Sequence, residues 1–300
     1  MADGLHGVLV VDKPKGPTSF AVVAEIRRVL RVRRAGHGGT LDPMATGVLP
    51  VCLGEGTKLA PFFLDADKEY EAEALLGVAT DTYDATGVVV RKCDPAGVTE
   101  EHLRNVLQGF QGRIRQRVPA FSAVRQGGVR LYERARAREV VETPEREVEI
   151  RCIELLEAAL PRFRFRVVCS KGTYVRSLAH DIGDALGVGC HLVGLRRVRT
   201  GAFGLEHAVP LASVAEAARA GRLPLIPPER AVAHLPSRIV TADVERRVRN
   251  GQRLQPRDVG DPSPGLFAVL NGEGRLVAVA QAPPAQDGLI SIVRVFNISP

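Results

Sequence analysis

Several features that mark large classes of protein are missing from this sequence of 300 residues. The five cysteines are odd in number and never spaced as C-x-x-C, which argues against a disulfide framework and a zinc cluster. No apolar run approaches the roughly 18 residues of a membrane span, and the first residues lack the charged-then-apolar pattern of a secretory signal. We therefore expect a cytoplasmic protein whose cysteines are reduced core residues.

The phosphate-binding motif of nucleotide hydrolases, G-x-x-x-x-G-K-[ST], is absent as well. The segments Gly54–Lys58 and Lys171–Thr173 contain glycine, lysine and threonine, but their spacing differs from that motif. An ATP-driven activity therefore loses most of its support. With 45% hydrophobic residues the chain can still bury a full core, and its length suits one large and one small domain.

Positive charge is abundant and concentrated. The formal net charge of the chain is +7, and the run from Arg113 to Arg138 holds eight arginines against one acid, Glu133, which gives a local charge of +7. Such a cluster is typical of a phosphate-binding face, although a solvated basic helix without a partner has the same composition. A second basic patch, between Arg27 and Arg34, has five arginines and no acid.

The spacing of apolar residues predicts strands and helices that interleave without a strict βαβ rhythm. This indicates an α+β fold with a mixed, mostly antiparallel sheet and flanking helices. Predicted strands cover residues 7–11, 70–78, 162–169, 266–270, 276–280 and 289–296. Predicted helices begin near residue 19 and cover residues 99–110, 129–140, 173–186 and 241–250. Residues 36–50 are predicted to form a loop, and residues 113–128 an irregular segment.

A change in composition predicts the domain boundary. Four prolines lie between Leu223 and Pro236 and indicate a linker. Beyond it, an Asn271-Gly272 turn between two apolar runs is typical of a hairpin. We expect a large domain over residues 1–230, with the basic segment as an insertion at about 111–140, and a small β-rich domain over residues 236–300.

The segment Gly36–Gly47, GHGGTLDPMATG, is the most informative part of the chain. Four glycines in this stretch let the backbone approach a ligand closely, and Pro43 disfavours a helical conformation at Asp42. Asp42 is therefore expected on an extended, exposed loop. A lone loop aspartate is equally consistent with a turn or capping role.

Residues 36–50, GHGGTLDPMATGVLP, closely resemble the signature of bacterial tRNA pseudouridine-55 synthases. The resemblance covers about residues 7 to 204 in family order. It passes through VVDKPKGPTS at residues 10–19, KEY at 68–70, TDTYDATG at 80–87, CSKGTYVR at 169–176 and LRR at 195–197. It implies the pseudouridine synthase fold, followed by a small PUA-like RNA-binding domain.

The resemblance also implies roles for individual residues. Asp42 is expected to be the catalytic carboxylate, with Arg176 as the cation that keeps it ionised when the site is covered. Tyr70 would stack on the uracil and assist removal of the proton from C5. Substrate binding is expected of His37, Leu195, Tyr174 and Lys13, and of Arg125 and Arg130 in the basic insertion. His37 would fill the space of the extracted base, Leu195 would line the base pocket, and Lys13 would support the site.

The implied reaction converts uridine 55 in the T loop of tRNA to pseudouridine. It consumes nothing, so it requires neither a cofactor nor a metal, and the target base must be flipped out of its stack. We expect the T arm of tRNA as partner, no membrane, no obligate protein partner and a monomer. The stretch VPAFSAVR at residues 118–125 departs from the family, which commonly has proline, tyrosine and lysine in place of valine, phenylalanine and arginine. The contacts of the insertion therefore stay open.

Two other functions remain compatible with the sequence. An RNA-guided relative would perform the same chemistry on another RNA and would need partner proteins. A tRNA-folding chaperone would need basic residues for binding but no loop carboxylate. The combination of Asp42, Tyr70 and Arg176 favours catalysis over the chaperone.

Overall fold

The computed structural model describes residues 4–122, 124–137, 139, 142–284 and 288–298. Its strands are, in chain order, β1 (Gly7–Lys13), β2 (Ala35–His37), β3 (Thr46–Leu53), β4 (Lys68–Leu76), β5 (Val78–Thr80), β6 (Val89–Lys92), β7 (Gly112–Arg117), β8 (Arg125–Gln126), β9 (Val129–Arg130), β10 (Glu145–Ala159), β11 (Arg162–Cys169), β12 (Cys190–Thr200), β13 (Phe203–Gly204), β14 (Val209–Pro210), β15 (Ser237–Ile239), β16 (Gly265–Leu270), β17 (Leu276–Ala282) and β18 (Ser291–Val295). Its α-helices are α1 (Ser19–Leu30), α2 (Ala60–Asp65), α3 (Glu100–Gly109), α4 (Leu131–Arg136), α5 (Val175–Ala185), α6 (Val214–Arg219), α7 (Pro228–Ala231) and α8 (Ala242–Arg249).

The chain divides into two compact units. The first consists of Met1–Leu41, Leu49–Leu64 and Glu206–Pro300, and the second of Asp42–Val48 and Asp65–Leu205. The mixed sheet pairing, with flanking helices, confirms the α+β prediction. The predicted functional domains, 1–230 and 236–300, stay a prediction.

The second unit is built on a sheet with strand order β12-β4-β11-β10-β7, in which all neighbours are antiparallel. The start of β3 adds to β12 in parallel, with Gly47 opposite Arg197. One sheet face is apolar because the inward positions of β4 and β11 alternate with charged ones. Helix α5 lies against β12 and buries Leu178, Ala179 and Ile182.

The opposite face of that sheet carries a ladder of paired charges. On β11, Arg162 lies 2.8 Å from Glu73 and Arg164 lies 3.2 Å from Glu71 on the neighbouring strand β4. Arg166 pairs with Glu69 on β4 at 2.6 Å and with Glu154 on β10. These arginines are therefore neutralised by their cross-strand neighbours.

The first unit contains two sheets. In one, strand order is β14-β1-β3, with β2 antiparallel to β3 and helix α1 against β2. The other is the C-terminal sheet β15-β16-β17-β18, which with α8 encloses its own core around Val248, Phe267 and Val277. The predicted Asn271 turn joins β16 to β17, and the Asn271 side chain accepts two backbone N–H groups of the turn.

Most predicted elements are confirmed, and three were wrong in part. The predicted strand over 162–169 is β11, and α1, α3, α5 and α8 lie where helices were expected. The predicted loop 36–50 is shorter, because β2 and β3 occupy its ends. The segment 113–128, predicted to be irregular, contains β7. Of the predicted helix 129–140, residues 131–136 form α4, and Arg138 and Val140 lie outside the described residues.

Two general expectations can be compared with the structure. Within the described part of the chain, every helix is too short or too polar to cross a bilayer. Cys52, Cys169 and Cys190 are buried free thiols, as expected of core residues, whereas Cys93 and Cys152 are only partly buried.

Candidate active site

The loop that carries Asp42 is fixed at both of its ends. Before it, the Ser19 hydroxyl both accepts from the Leu41 N–H at 2.8 Å and donates to the Leu41 carbonyl at 3.0 Å. After it, a side chain at Gly47 (φ 100°) would meet the Arg197 carbonyl oxygen at 2.1 Å, so only glycine allows β3 to lie this close to β12. The Asp42 side chain itself is 36% exposed, which confirms that this loop presents it.

Arg176 binds the Asp42 carboxylate from the first turn of α5. Its Nε lies 2.8 Å from Asp42 Oδ2, an ion pair whose N–H is not aligned as a hydrogen bond. The guanidinium is 5% exposed and is held by two further carbonyls: Nη1 donates to Thr82 O at 2.9 Å and Nη2 to Phe121 O at 3.0 Å. A cation fixed in this way holds a negative charge beside it without needing to reorganise.

Asp84 faces the same guanidinium from the other side. Its Oδ2 lies 3.6 Å from Arg176 Nη1, and its side chain is 6% exposed. Its Oδ1 accepts from Thr82 Oγ1, from Thr86 Oγ1 and from the Thr86 N–H. These donors hold the buried Asp84 carboxylate in place, so that Arg176 contacts two acids.

A stacked aromatic pair holds the turn that carries Asp84. Tyr83 adopts a φ of 62°, which is uncommon for a residue other than glycine. Its ring stacks on His180, one turn after Arg176 on α5, with centroids 4.0 Å apart and planes 11° apart. The Tyr83 carbonyl accepts from the Leu192 N–H at 3.0 Å. The turn is thus attached both to α5 and to β12.

Tyr70 lies on the apolar face of β4 and is buried. Burial raises the pKa of its hydroxyl, the Asp42 charge acts in the same direction, and Arg197, which hydrogen-bonds to the hydroxyl, opposes the shift. Tyr70 is therefore a neutral phenol near neutral pH. On β12, Arg197 is opposite Tyr70 and Leu195 is opposite Ala72, so Leu195 shares this face and is half-buried.

The other predicted site residues lie at the ends of separate elements. Tyr174 precedes α5, donates its N–H to Gln116 and has the Arg146 guanidinium 5.3 Å above its ring. His37 ends β2 and Lys13 ends β1, both in the first unit, and the fully buried Lys13 donates to the Pro14 carbonyl. Their roles toward a substrate stay predictions.

The basic insertion is less uniformly positive than its sequence suggests. Several of its arginines pair with glutamates, Arg134 with Glu139 at 2.7 Å and Arg113 with Glu147 at 3.7 Å. Arg125 is exposed in the β8–β9 hairpin, with its guanidinium donating to the Gly128 carbonyl. Arg130 pairs with Arg125 through the backbone, but its side chain lies outside the described part of the structure.

Two residues of this site were missed at the level of sequence. Asp84 had a local signal, since an aspartate with threonines two residues before and after it is typical of a side chain that bonds its own turn. Arg197 lies in the LRR stretch of the family resemblance, but nothing in the sequence signalled its burial, because arginine is rarely buried; it is 1% exposed and its Nε donates to the Val48 carbonyl at 2.7 Å.

Comparison with known proteins places this arrangement in context. Residues 27–175 match the model described as TruB family pseudouridylate synthase (N terminal domain), and residues 176–224 match that of the tRNA pseudouridylate synthase B C-terminal domain. The chain is 42% identical to tRNA pseudouridine synthase B of Xanthomonas oryzae pv. oryzae, over 98% of this chain and 94% of that protein. The corresponding protein of Geobacter sulfurreducens is also 42% identical, over 98% of this chain and all of that protein. Among solved structures, a chain of a Cbf5-Nop10-Gar1 complex is similar, with a TM-score of 0.77, 32% identity and coverage of 98% of this chain and 85% of that one.

Proposed function

The chain belongs to the TruB family of pseudouridylate synthases and isomerises uridine in tRNA to pseudouridine, and we propose that its target is uridine 55 of the T loop. Its sheet and flanking helices are those of the pseudouridine synthase fold. The observation that carries the proposal is the Arg176 guanidinium 2.8 Å from the partly exposed Asp42 carboxylate. We propose that the enzyme acts in the cytoplasm as a monomer, without an obligate protein partner.

Asp42 is the proposed catalytic residue. The reaction breaks the bond between ribose C1′ and N1 of uracil, turns the base and forms a bond from C1′ to C5, after which the C5 proton leaves and N1 gains one. A carboxylate can attack as a nucleophile or stabilise positive charge on the sugar, and either role requires the ionised form. Arg176, held between Asp42 and Asp84, supplies the charge that favours this form when the nucleotide excludes water.

Tyr70 and Leu195 are the proposed walls of the base site. Both lie on the apolar face of the sheet, where a flat pyrimidine can be stacked and enclosed. The raised pKa of Tyr70 supports a role for its neutral ring in stacking, and its hydroxyl is the nearest proposed group for assisting removal of the C5 proton.

RNA binding is proposed for residues outside this centre. His37 would occupy the space of the flipped base, with Lys13 supporting its segment and Tyr174 contacting the substrate. Arg125 and Arg130 in the β8–β9 hairpin would contact phosphates of the T arm, and residues 236–300 would act as a PUA-like RNA-binding domain. Exposed arginines without a carboxylate partner are the residues best suited to phosphate.

A tritium-release assay tests the proposed function. The purified protein is incubated with an unmodified T-arm RNA hairpin labelled at C5 of its uridines, and release of tritium reports formation of the new bond. Release from position 55 without any other protein is the expected result. Binding of the hairpin without release would contradict the proposal in favour of a chaperone.

A second candidate function comes from the similarity to a chain of the Cbf5-Nop10-Gar1 complex. A relative of this kind would need partner proteins and a guide. The same assay distinguishes it, since dependence of tritium release on an added guide RNA would contradict independent action on tRNA.

Asp84 gives a first prediction about this site. Asp84→Asn should lower kcat at least about tenfold, because an amide no longer holds the charge that fixes Arg176 opposite Asp42. The change is measured as the single-turnover rate at saturating RNA. Asp81→Asn is the matched control, because Asp81 lies in the same loop and its carboxylate accepts from the Val88 N–H. Equal rates for the two variants would exclude a role for Asp84 in positioning Arg176.

The basic hairpin gives a second prediction. Arg130→Glu should weaken binding of the T-arm hairpin. It should also reduce the slope of the logarithm of the association constant against the logarithm of salt concentration by about one, because one phosphate contact is lost. Fluorescence anisotropy over a range of salt concentrations measures both quantities. Arg104→Glu makes the same charge change on α3, where Arg104 already pairs with Glu100. An affinity unchanged by Arg130→Glu would count against this hairpin as an RNA contact.

A further inference from the structure

The exposed face of α1 carries an aromatic residue and three arginines that do not pack into the core of the first unit. Phe20, at the start of this helix, is 76% exposed, the highest value among the large hydrophobic side chains of the described residues. Arg27, Arg28 and Arg31, at its far end, are also exposed. An aromatic ring in water costs free energy unless another molecule covers it.

The three arginines of α1 have no acidic partner in the described structure. Within the described residues, Arg27, Arg28 and Arg31 have no carboxylate in ion-pair range, whereas Arg162, Arg164 and Arg166 are each paired. Helix geometry also aligns the side chains. Phe20 and Arg27 are spaced i and i+7 on one face of the helix, and the Cα atom of Arg31, the residue after the last helical one, extends this line. The line is about 16 Å long at 1.5 Å per residue.

A stabilising role within the helix accounts for only part of this pattern. Arg27 and Arg28 lie in the last turn of α1, where cations interact favourably with the carbonyl ends of the helix. That effect does not require Phe20 to be exposed at the opposite end, and it does not extend to Arg31, which follows the last helical residue in a left-handed conformation.

The start of the line is attached to the catalytic loop. Ser19, the residue before Phe20, makes the two hydrogen bonds to Leu41, and Leu41 immediately precedes Asp42 in the chain. A line of about 16 Å corresponds to roughly five nucleotide steps at 3.4 Å each.

We propose that the exposed face of α1 is a second RNA-binding surface, on which Phe20 stacks against a base and Arg27 and Arg31 bind phosphates of the tRNA substrate. This inference rests on the proposed action on tRNA and adds a contact surface outside the basic hairpin. Stacking supplies affinity that is insensitive to salt, and the arginines supply affinity that falls with salt.

Two pairs of variants test the surface, with the unmodified T-arm hairpin as the probe. Arg27→Ala combined with Arg31→Ala should raise Kd about tenfold and reduce the salt slope by about two, one for each phosphate contact. Arg162→Ala combined with Arg164→Ala removes the same charge from paired residues and should leave both quantities unchanged. Phe20→Ala should raise Kd about tenfold without changing the salt slope, and Phe20→Tyr should restore affinity because the ring is retained.

The outcomes separate this surface from the proposed function. Tritium release by the wild type, together with an unchanged Kd and salt slope for the α1 double variant, would overturn the surface alone. An equal loss in the Arg162 and Arg164 control pair would also overturn it, because net charge and not position would be responsible. Absence of release from the hairpin by the wild type would instead overturn the proposed function.

Discussion

Replacing Asp42 by asparagine is expected to lower kcat by at least about 10³-fold, equivalent to about 4 kcal/mol of activation free energy. Asparagine has nearly the same shape but carries no negative charge, so it can neither attack C1′ nor stabilise positive charge on the sugar. The loop should keep its conformation, because Ser19 and Gly47 fix it through backbone contacts on either side. Affinity for tRNA should therefore stay close to that of the wild type.

Single-turnover tritium release and fluorescence anisotropy measure these two quantities separately. Asp94→Asn is a matched control, because Asp94 is also a loop aspartate followed by proline, with its carboxylate accepting the Ala96 N–H. That variant should turn over at the wild-type rate. Retained activity in Asp42→Asn would overturn the catalytic assignment, whatever the resemblance of the surrounding residues.

Replacing Arg176 by lysine is expected to lower kcat by about 10²-fold or more. The guanidinium lies at once against Asp42 and Asp84 and donates to the carbonyls of Thr82 and Phe121. An ammonium group cannot reach these partners in the same plane, so the charge would move away from Asp42. Arg176→Ala should in addition lower the free energy of unfolding by about 3 kcal/mol, because it leaves the Asp84 carboxylate buried without its cation.

Rates at saturating RNA and thermal unfolding test the two variants together. Arg166→Lys is the control, since Arg166 is also held by two acids, Glu69 and Glu154, but on the opposite face of the sheet. A wild-type rate for Arg176→Lys would mean that any positive charge suffices at this position. A loss equal to that of Arg166→Lys would mean that the effect is structural.

The regular elements could be predicted from sequence where one face of the element is buried. Strand β11 alternates apolar and charged residues along its whole length, and its predicted bounds are the observed ones. A helix was predicted to begin near residue 19, and α1 begins at Ser19, with the Thr18 side chain accepting the Ala21 N–H. Strand β7 was missed because three of its six residues are arginines, Arg113, Arg115 and Arg117, which do not form an apolar strand pattern. Its pairing with β10 also depends on residues distant in sequence.

The sequence predicted only those site residues that match the family signature. The signature pointed to Asp42, Tyr70 and Arg176, and the structure places the Arg176 guanidinium 2.8 Å from the Asp42 carboxylate. It did not reveal that Arg176 lies between two carboxylates, because the Asp84 loop and α5 meet only in the folded chain. Partial neutralisation of the basic insertion by later glutamates was likewise invisible in a local charge count.

The ladder of arginines and glutamates across β4, β11 and β10 has a kinetic consequence. A polyanion diffusing toward the protein feels only the unbalanced charges, since cross-strand pairs cancel within about one Debye length. Collisions with that side of the sheet therefore dissociate quickly and are not trapped. A larger fraction of encounters then occurs in orientations that can lead to turnover. The paired charges on this face therefore favour a higher rate of productive association with RNA.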